Sequence, residues 1–421
     1  MRSDTSWRTP DFRALFTATV FNQLGTNIGY VAIPLIAVSA LNAGPGQVGV
    51  LATLTTVSFL LIGLPAGAWV DRMRHRRVLI TADLTRAALF TSVPVLWALD
   101  ALTIEYLYVM VLLNGCATVF LEVGSQTILP QLVGHDGLVR ANASVISIMA
   151  FGNVAGRGAG GGLVQLLGAP VAVVCTAASY LASALRLTGI RASGEPAPPD
   201  PGRPVRLGAQ IAEGVRHVFG DRELRALVLT GALINLGVQI VNTMLPVLFV
   251  REIDLSAGVL GLFWAGGGVG LFLGSRFARP IAGRLGFGRS LGIVGLCLAP
   301  AGLLVPLVDQ GPWLWVAGAG WLLATFKTGM DNVLGVSLRQ ALTPAPLLGR
   351  MNATFRFLLT GAHAVGAALS GLIGELVSVR AALWTGGVVL SLAFLPVFLS
   401  PVRARREMPR QPEAEPVRRP A

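Results

Sequence analysis

Eight ionisable side chains stand where a chain of this kind should carry none. Asp83, Arg86, Glu122, Arg157, Lys327, Asp331, Arg356 and His363 each fall inside a long apolar run. A charge held at such a place is costly, so residues of this kind pair with one another or serve a cavity. Lys327, the only lysine in the chain, precedes Asp331 by four residues. That spacing puts both on one helix face within pairing reach. Glu122 takes nearly the same depth in its run as Asp331 does in its own. A desolvated carboxylate beside a cation can take up and release a proton as its surroundings change, which is the chemistry that proton exchange requires. The plainer reading is that Lys327 and Asp331 only neutralise each other. His363 reads either as a group that binds solute or protons, or as a hydrogen-bonded structural histidine.

Amide and hydroxyl side chains form a second set. Gln23, Asn27 and Tyr30 recur at helical spacing in the first run, and Asn235, Gln239 and Asn242 answer them in the seventh. Both stripes are expected to face a central cavity and meet a small-molecule substrate; the alternative is hydrogen bonding between helices. Gly152, Gly156, Gly160 and Gly161 lie at spacings that let helix backbones touch, so they are expected to support close packing. Gly156-Arg-Gly-Ala-Gly-Gly satisfies Gly-x-Gly-x-x-Gly formally, but no strand precedes it and no soluble βαβ unit surrounds it. With no Walker sequence either, nucleotide chemistry is set aside. Cys116, Cys175 and Cys297 lie inside apolar runs without Cys-x-x-Cys spacing, so neither a disulfide, a metal nor a cofactor is expected. No nucleophile and base fall at a useful spacing, which argues against an enzyme.

The elements that must position these residues follow from composition. Of 421 residues, 53% are hydrophobic and 13% charged, and the mean hydropathy is +0.67. That is too apolar for a water-soluble domain of this size. A membrane-spanning helix needs about 20 apolar residues, and the chain divides into about twelve such runs: 14–40, 46–70, 78–99, 104–129, 142–166 and 169–190, then 223–250, 256–280, 289–308, 313–336, 351–376 and 380–400. The expected fold is an all-α membrane protein of twelve transmembrane helices. The ten-residue alternation of a barrel is absent.

The net charge of +12 is not the mark of a nucleic-acid binder, because the arginines are spread over joints and not gathered on one domain. Arg2, Arg8 and Arg13, then Arg72 to Arg77, Arg140, Arg186 to Arg225, Arg276 to Arg289, Arg339 and Arg350, and Arg403 to Arg419 all fall at alternate joints. The joints near Asn42, Asp100, Gly168, Glu252, Asp309 and Val377 carry only Arg251 and Arg380. By the positive-inside rule, both termini are expected in the cytoplasm. The first run lacks a small-residue cleavage site and is expected to be retained as a span.

Internal repetition gives the domain plan. Leu24-Gly-Thr-Asn-Ile, with Pro34 seven residues past Asn27, recurs as Leu236-Gly-Val-Gln-Ile with Pro246 the same distance past Gln239. Gly63-Leu-Pro-Ala-Gly67 recurs as Gly270-Leu-Phe-Leu-Gly274, and Arg140-Ala-Asn-Ala as Arg350-Met-Asn-Ala. The matches lie roughly 210 residues apart in one order and orientation, the pattern of a parallel repeat with a solute held near the midplane between halves. The expected units are a six-helix bundle at 1–190, a linker at 191–222, a second bundle at 223–400 and a basic tail at 401–421. Within the linker, Glu195-Pro-Ala-Pro-Pro-Asp-Pro-Gly-Arg-Pro is too rich in proline for a helix. Leu207, Ile211, Val215 and Val218 then mark a short helix on the membrane surface.

On these residues the chain resembles the major facilitator superfamily, and within it the exporters related to macrolide and siderophore efflux. The family pattern Gly-x-Leu-Ala-Asp-Arg-x-Gly-Arg-Arg is met by Gly67, Asp71, Arg72, Arg76 and Arg77, while Trp69, Val70, Arg74 and His75 depart from it. Ala82-Asp83-Leu84-Thr85-Arg86, and Leu129-Pro130 with Arg140-Ala141-Asn142-Ala143, are similar to the efflux subgroup. The exporter signature Gly-x-x-x-Gly-Pro-x-x-Gly-Gly is matched by Gly152, Gly156, Gly160 and Gly161, with Arg157 in place of proline. The resemblance implies proton-coupled efflux of hydrophobic or amphiphilic compounds by a monomer in the inner or plasma membrane. It also implies a conformational latch of Gly67, Asp71, Arg72, Arg76 and Arg77 with Asp83 and Arg86, while the buried charges themselves suggest proton coupling through Glu122, Asp331 and Lys327. Alternatives are a dedicated exporter of one endogenous metabolite or siderophore, and a membrane sensor or scaffold that moves nothing.

Overall fold

Hydrocarbon offers backbone groups no partner, so apolar runs of this length close their hydrogen bonds within themselves as helices. The computed structural model describes residues 9–70, 72–191 and 207–406. Helix α1 (Pro10–Leu35) continues through a π turn (Ile36–Ala40), followed by α2 (Pro45–Val70) and α3 (His75–Ala98). Helix α4 (Ile104–Phe151) passes through a second π turn (Gly152–Gly156) into α5 (Arg157–Leu167), and α6 (Ala169–Thr188) completes the first half. The linker helix is α7 (Leu207–Gly220). The second half comprises α8 (Arg222–Val247, with a π turn Leu248–Glu252), α9 (Ala257–Leu285), α10 (Phe287–Leu304), α11 (Pro312–Leu342), α12 (Leu348–Leu376), α13 (Val379–Leu392) and α14 (Leu395–Phe398).

Among the described residues, ten helices are long and apolar enough to cross a membrane. The other two of the twelve spans are α11 and the passage from Ala141 to Leu167. Where the sequence suggested a joint between residues 129 and 142, the helix runs on through α4. Its direction nevertheless changes between Leu132 and Ala141. Leu132, Ala141, Phe12 and Leu15 share one cluster, and from there the chain climbs back so that Gly152 meets Gln23 and Gly160 meets Ile28. The joints near Asn42, Asp100, Gly168, Asp254 and Gly311 turn on residues at positive φ, a conformation that Gly, Asn and Asp tolerate.

The sequence repeat is also a repeat of packing. In the first half α1 packs on α6, α2 on α4, and α3 on α4 and α6; in the second, α8 packs on α13, α9 on α11, and α10 on α11 and α13. Between the halves the main crossings are α2 with α12 and α5 with α9, pairs related by the same two-fold plan. Each crossing is a contact of two glycines. A Cβ added to Gly371 would lie 2.7 Å from the Cα of Gly49, and one added to Gly161 would lie 2.7 Å from the Cα of Gly261.

Both crossings lie at the end of the bundle that carries the few-arginine joints. There Gly46 N–H donates to Glu375 at 3.0 Å, Ser256 Oγ donates to Gln165 at 3.3 Å, and a single apolar cluster runs through both halves, from Ile33 and Val48 to Leu248 and Val379. At the basic end the core splits into one cluster per half, around Phe12 and Leu79 in the first and Phe287 and Met351 in the second. The halves are thus sealed at one end and parted at the other.

Candidate functional site

The parted halves enclose a cavity of about 460 Å³. Helix α1 contributes Thr26, Tyr30 and Ile33, α3 contributes Arg86 and Phe90, α4 contributes Asn114 and Glu122, and α6 contributes Tyr180. From the second half come Gln239, Asn242, Trp264 and Arg356. Near the sealed end Tyr30 meets Trp264 edge-on, with ring centres 5.2 Å apart. Trp264 Nε1 donates to Asn242 at 2.9 Å, so a residue from each stripe helps form that wall.

Behind the wall of the first half lies a polar network with no exposure to speak of. Asp83 is 0% and Arg86 1% exposed. Asp83 accepts from Asn22 Nδ2 at 2.8 Å and Ser183 Oγ at 2.5 Å, and faces Arg86 at 3.5 Å. Arg86 donates to Asn114 at 3.2 Å, Thr26 at 2.9 Å and Tyr180 at 2.6 Å. A buried charge pair is tolerable only when most of its remaining hydrogen-bonding capacity is met, and four helices, α1, α3, α4 and α6, supply the partners here, leaving Arg86 Nη1 with only the 3.5 Å contact to Asp83. The pair fixes the bundle and presents one edge of a guanidinium to the cavity.

A second ion pair joins the two halves. Arg356 Nη2 of α12 donates to Glu122 Oε2 of α4 at 2.7 Å, each side chain 46% exposed, and the guanidinium lies 4.3 Å from the centre of the Phe59 ring. The third pair, Lys327 with Asp331, lies along α11 with side chains 12% and 10% exposed. It borders a small void of about 30 Å³ with Gly295, Ala299 and Phe394, inside the second half and away from the central cavity. Glu122 and Asp331, placed at like depth by the sequence, therefore meet different surroundings.

Other expected residues are placed as follows. Asp83 and Arg86 stand eight and eleven residues into α3, buried in the first bundle, and not at the basic joint where the latch was expected. Asp71 lies outside the described residues. Arg76 Nη2 donates to Thr188 O at 2.5 Å, tying the joint to the C-terminal end of α6 in its own half, where a cation suits the helix dipole. Arg72 and Arg77 are exposed, and a Cβ on Gly67 would meet nothing within 4 Å.

Of the first stripe only Tyr30 lines the cavity. Gln23 and Asn27 turn to the fifth span, where a Cβ on Gly152 would lie 3.1 Å from Gln23 Cβ, and one on Gly156 would lie 2.7 Å from Asn27 Cβ. Gly160 packs on Ile28 in the same way, so Gly161 alone of the four glycines packs across to the second half. In the second stripe Gln239 and Asn242 line the cavity, whereas Asn235 donates to Gly231 O and borders a separate void. His363 Nδ1 lies 3.3 Å from Leu359 O, one turn back on its own helix. The sequence offered no signal for Tyr180 or Asn114. Arg356 stood among the buried charges but without a partner.

These features, a two-fold bundle sealed at one end over an interior cavity, have close counterparts. A sequence profile for the family described as transmembrane secretion effector, a branch of the major facilitator superfamily, matches residues 5–419. The chain belongs to that family. As a major facilitator protein it is a multi-span membrane transporter of the secondary type. It is 26% identical over 419 residues to the enterobactin exporter EntS of Citrobacter koseri, covering 97% of this chain and 96% of that one. The enterobactin exporter EntS of Salmonella typhi is also 26% identical, over 95% of each chain. The nucleoside transporter NupG shares the fold at a TM-score of 0.69 and 14% identity, over 92% of this chain and 98% of that one. A bacterial homologue of the iron transporter ferroportin, solved in an inward-facing state, does so at 0.69 and 20%, over 93% and 99%.

Proposed function

We propose that the protein is a dedicated exporter of a secreted metabolite of the siderophore type, working by alternating access. The observation that carries this reading is likeness along nearly the whole chain to enterobactin exporters. The cavity supports it: about 460 Å³ walled by Tyr30, Phe90, Tyr180 and Trp264, with arginine and amide groups between them, suits an aromatic solute bearing polar groups. Broad drug efflux, the first expectation from sequence, yields to this narrower reading because the named relatives are enterobactin exporters.

In this reading the basic joints mark the orientation. Placed in the cytoplasm by the positive-inside rule, they put both termini inside and make the described form open inward and sealed outward. Proton exchange is assigned to the Glu122–Arg356 pair, which bridges the two halves at the open end. Protonating Glu122 removes the charge that holds Arg356 and frees the halves to rock. Lys327 and Asp331, paired within one half, are placed second.

The test is secretion. Disrupting the gene in the producing organism should leave iron-chelating product inside the cells and deplete it from the medium, with restoration by the intact gene. Unchanged secretion overturns the reading, equal export of unrelated cationic drugs restores broad efflux, and absence of flux for any solute favours a sensor.

A further inference from the structure

The spans carry seven charged side chains well inside their ends: Asp83, Arg86, Glu122, Arg157, Lys327, Asp331 and Arg356. Six of them form the three ion pairs Asp83–Arg86, Glu122–Arg356 and Lys327–Asp331. Arg157 alone, among the described residues, has no carboxylate within ion-pair reach. Its guanidinium carbon lies 4.4 Å from the centre of the Tyr30 ring, and its Nε is buried without a hydrogen-bond partner. An arginine cannot shed its charge to escape this position. Among the described residues of the span interior, Arg157 is thus the charge that has an aromatic face and no carboxylate beside it.

The place of that charge is informative. Tyr30 lines the central cavity and meets Trp264 there, so Arg157 sits one ring behind the wall at the sealed end. Its own carbonyl belongs to the seal: a Cβ on Gly261 would lie 2.9 Å from Arg157 O. A ring face attracts a cation but satisfies none of its five N–H donors, whereas an oxyanion satisfies two at once.

We propose that Arg157 is the residue that selects an anionic substrate, completing its missing ion pair with an oxyanion on an aromatic solute seated against Tyr30 and Trp264. The long arginine side chain reaches that oxyanion past the edge of the Tyr30 ring. Because Arg157 O touches α9 at the glycine crossing, engagement of the anion acts directly on the contact that must open for release. This assignment rests on the exporter reading and adds to it the charge of the solute and the group that reads it.

Two dyes with one xanthene core and opposite charge provide the test: fluorescein, an anion, and rhodamine 123, a cation. Binding to the full-length protein in lipid nanodiscs is followed by fluorescence polarisation. The wild type should bind fluorescein at least about tenfold more tightly than rhodamine 123, the effect of one ion pair in a partly desolvated site. R157Q should lose that preference, and R157K should retain most of it. Equal affinity of the wild type for both dyes overturns the proposal whether or not the variants fold, and so does an unchanged preference in R157Q. Binding is read without flux, so a protein that selects fluorescein through Arg157 yet moves no solute in proteoliposomes overturns the exporter reading and leaves this one standing.

Discussion

Replacing Gly161 by alanine should unseal the closed end. The added methyl would lie 2.7 Å from both Gly261 Cα and Ala257 O, against the roughly 3.5–4.0 Å at which carbon atoms attract. Neither opposing atom is a side-chain tip that can swing aside, so the two backbones must part by about 1 Å. Overpacking of this kind costs about 1–3 kcal/mol, and the cost falls only on the state in which the crossing is made. The sealed population should therefore drop by a factor of about 5–150 relative to the opposite state. G371A repeats the perturbation at the other crossing, where the facing atom is the Cα of Gly49. G162A supplies the control, because a Cβ there would meet nothing within 4 Å. The assay is pulsed electron-electron spectroscopy on the protein in nanodiscs, with spin labels at Leu166 and Val377, which are 82% and 72% exposed, in a background freed of Cys116, Cys175 and Cys297. G161A and G371A should each populate a longer distance that G162A lacks. Identical distributions in all three would refute the argument that these glycine contacts hold the halves together.

Other consequences are equally specific. R86M leaves Asp83 charged, buried and unpaired and should cost about 3–5 kcal/mol, read as a fall in melting temperature; R86M with D83N should recover a good part of it. E122Q should change stability by less than about 1 kcal/mol, since the pair it breaks is half exposed, yet flux driven by a proton gradient in proteoliposomes should be lost. E375Q weakens the bond to Gly46 N–H and the charge facing the start of α2, a loss of less than about 1 kcal/mol, so the Leu166–Val377 distance should shift in the same direction as in G161A but by a smaller fraction.

The spans and their pairing into two like halves were legible in the sequence because apolar length and arginine placement dictate them independently of detail. Helical spacing also shows correctly that Gln23, Asn27 and Tyr30 share a face. What spacing does not carry is the azimuth of that face. The cavity side of α1 is the stripe Thr26, Tyr30 and Ile33, about a sixth of a turn away, and Gln23 and Asn27 go to the glycines of the fifth span because only glycine leaves room for them there. On α8 the like stripe does meet the cavity, through Gln239 and Asn242. Asp83 and Arg86 lie in the third span by sequence, and the family resemblance groups them with the latch at the basic joint. Three residues apart on a helix, they also had the spacing of an ion pair, but their partners Asn22, Ser183 and Tyr180 come from helices whose neighbours a single sequence does not reveal. Arg157 was visible as an oddity, an arginine where proline was expected. Its lack of a counter-charge emerged only once every other intramembrane charge had found its partner.

The account stands or falls on whether the parted halves move a solute. Purified protein reconstituted in proteoliposomes, loaded with a siderophore-type aromatic chelator on the side of the basic joints and given an inward proton gradient across the opposite face, provides the direct measurement. The account predicts outward flux that collapses with an uncoupler and is lost in E122Q. Flux equal to that of protein-free vesicles, or unchanged by uncoupler and by E122Q, would contradict it.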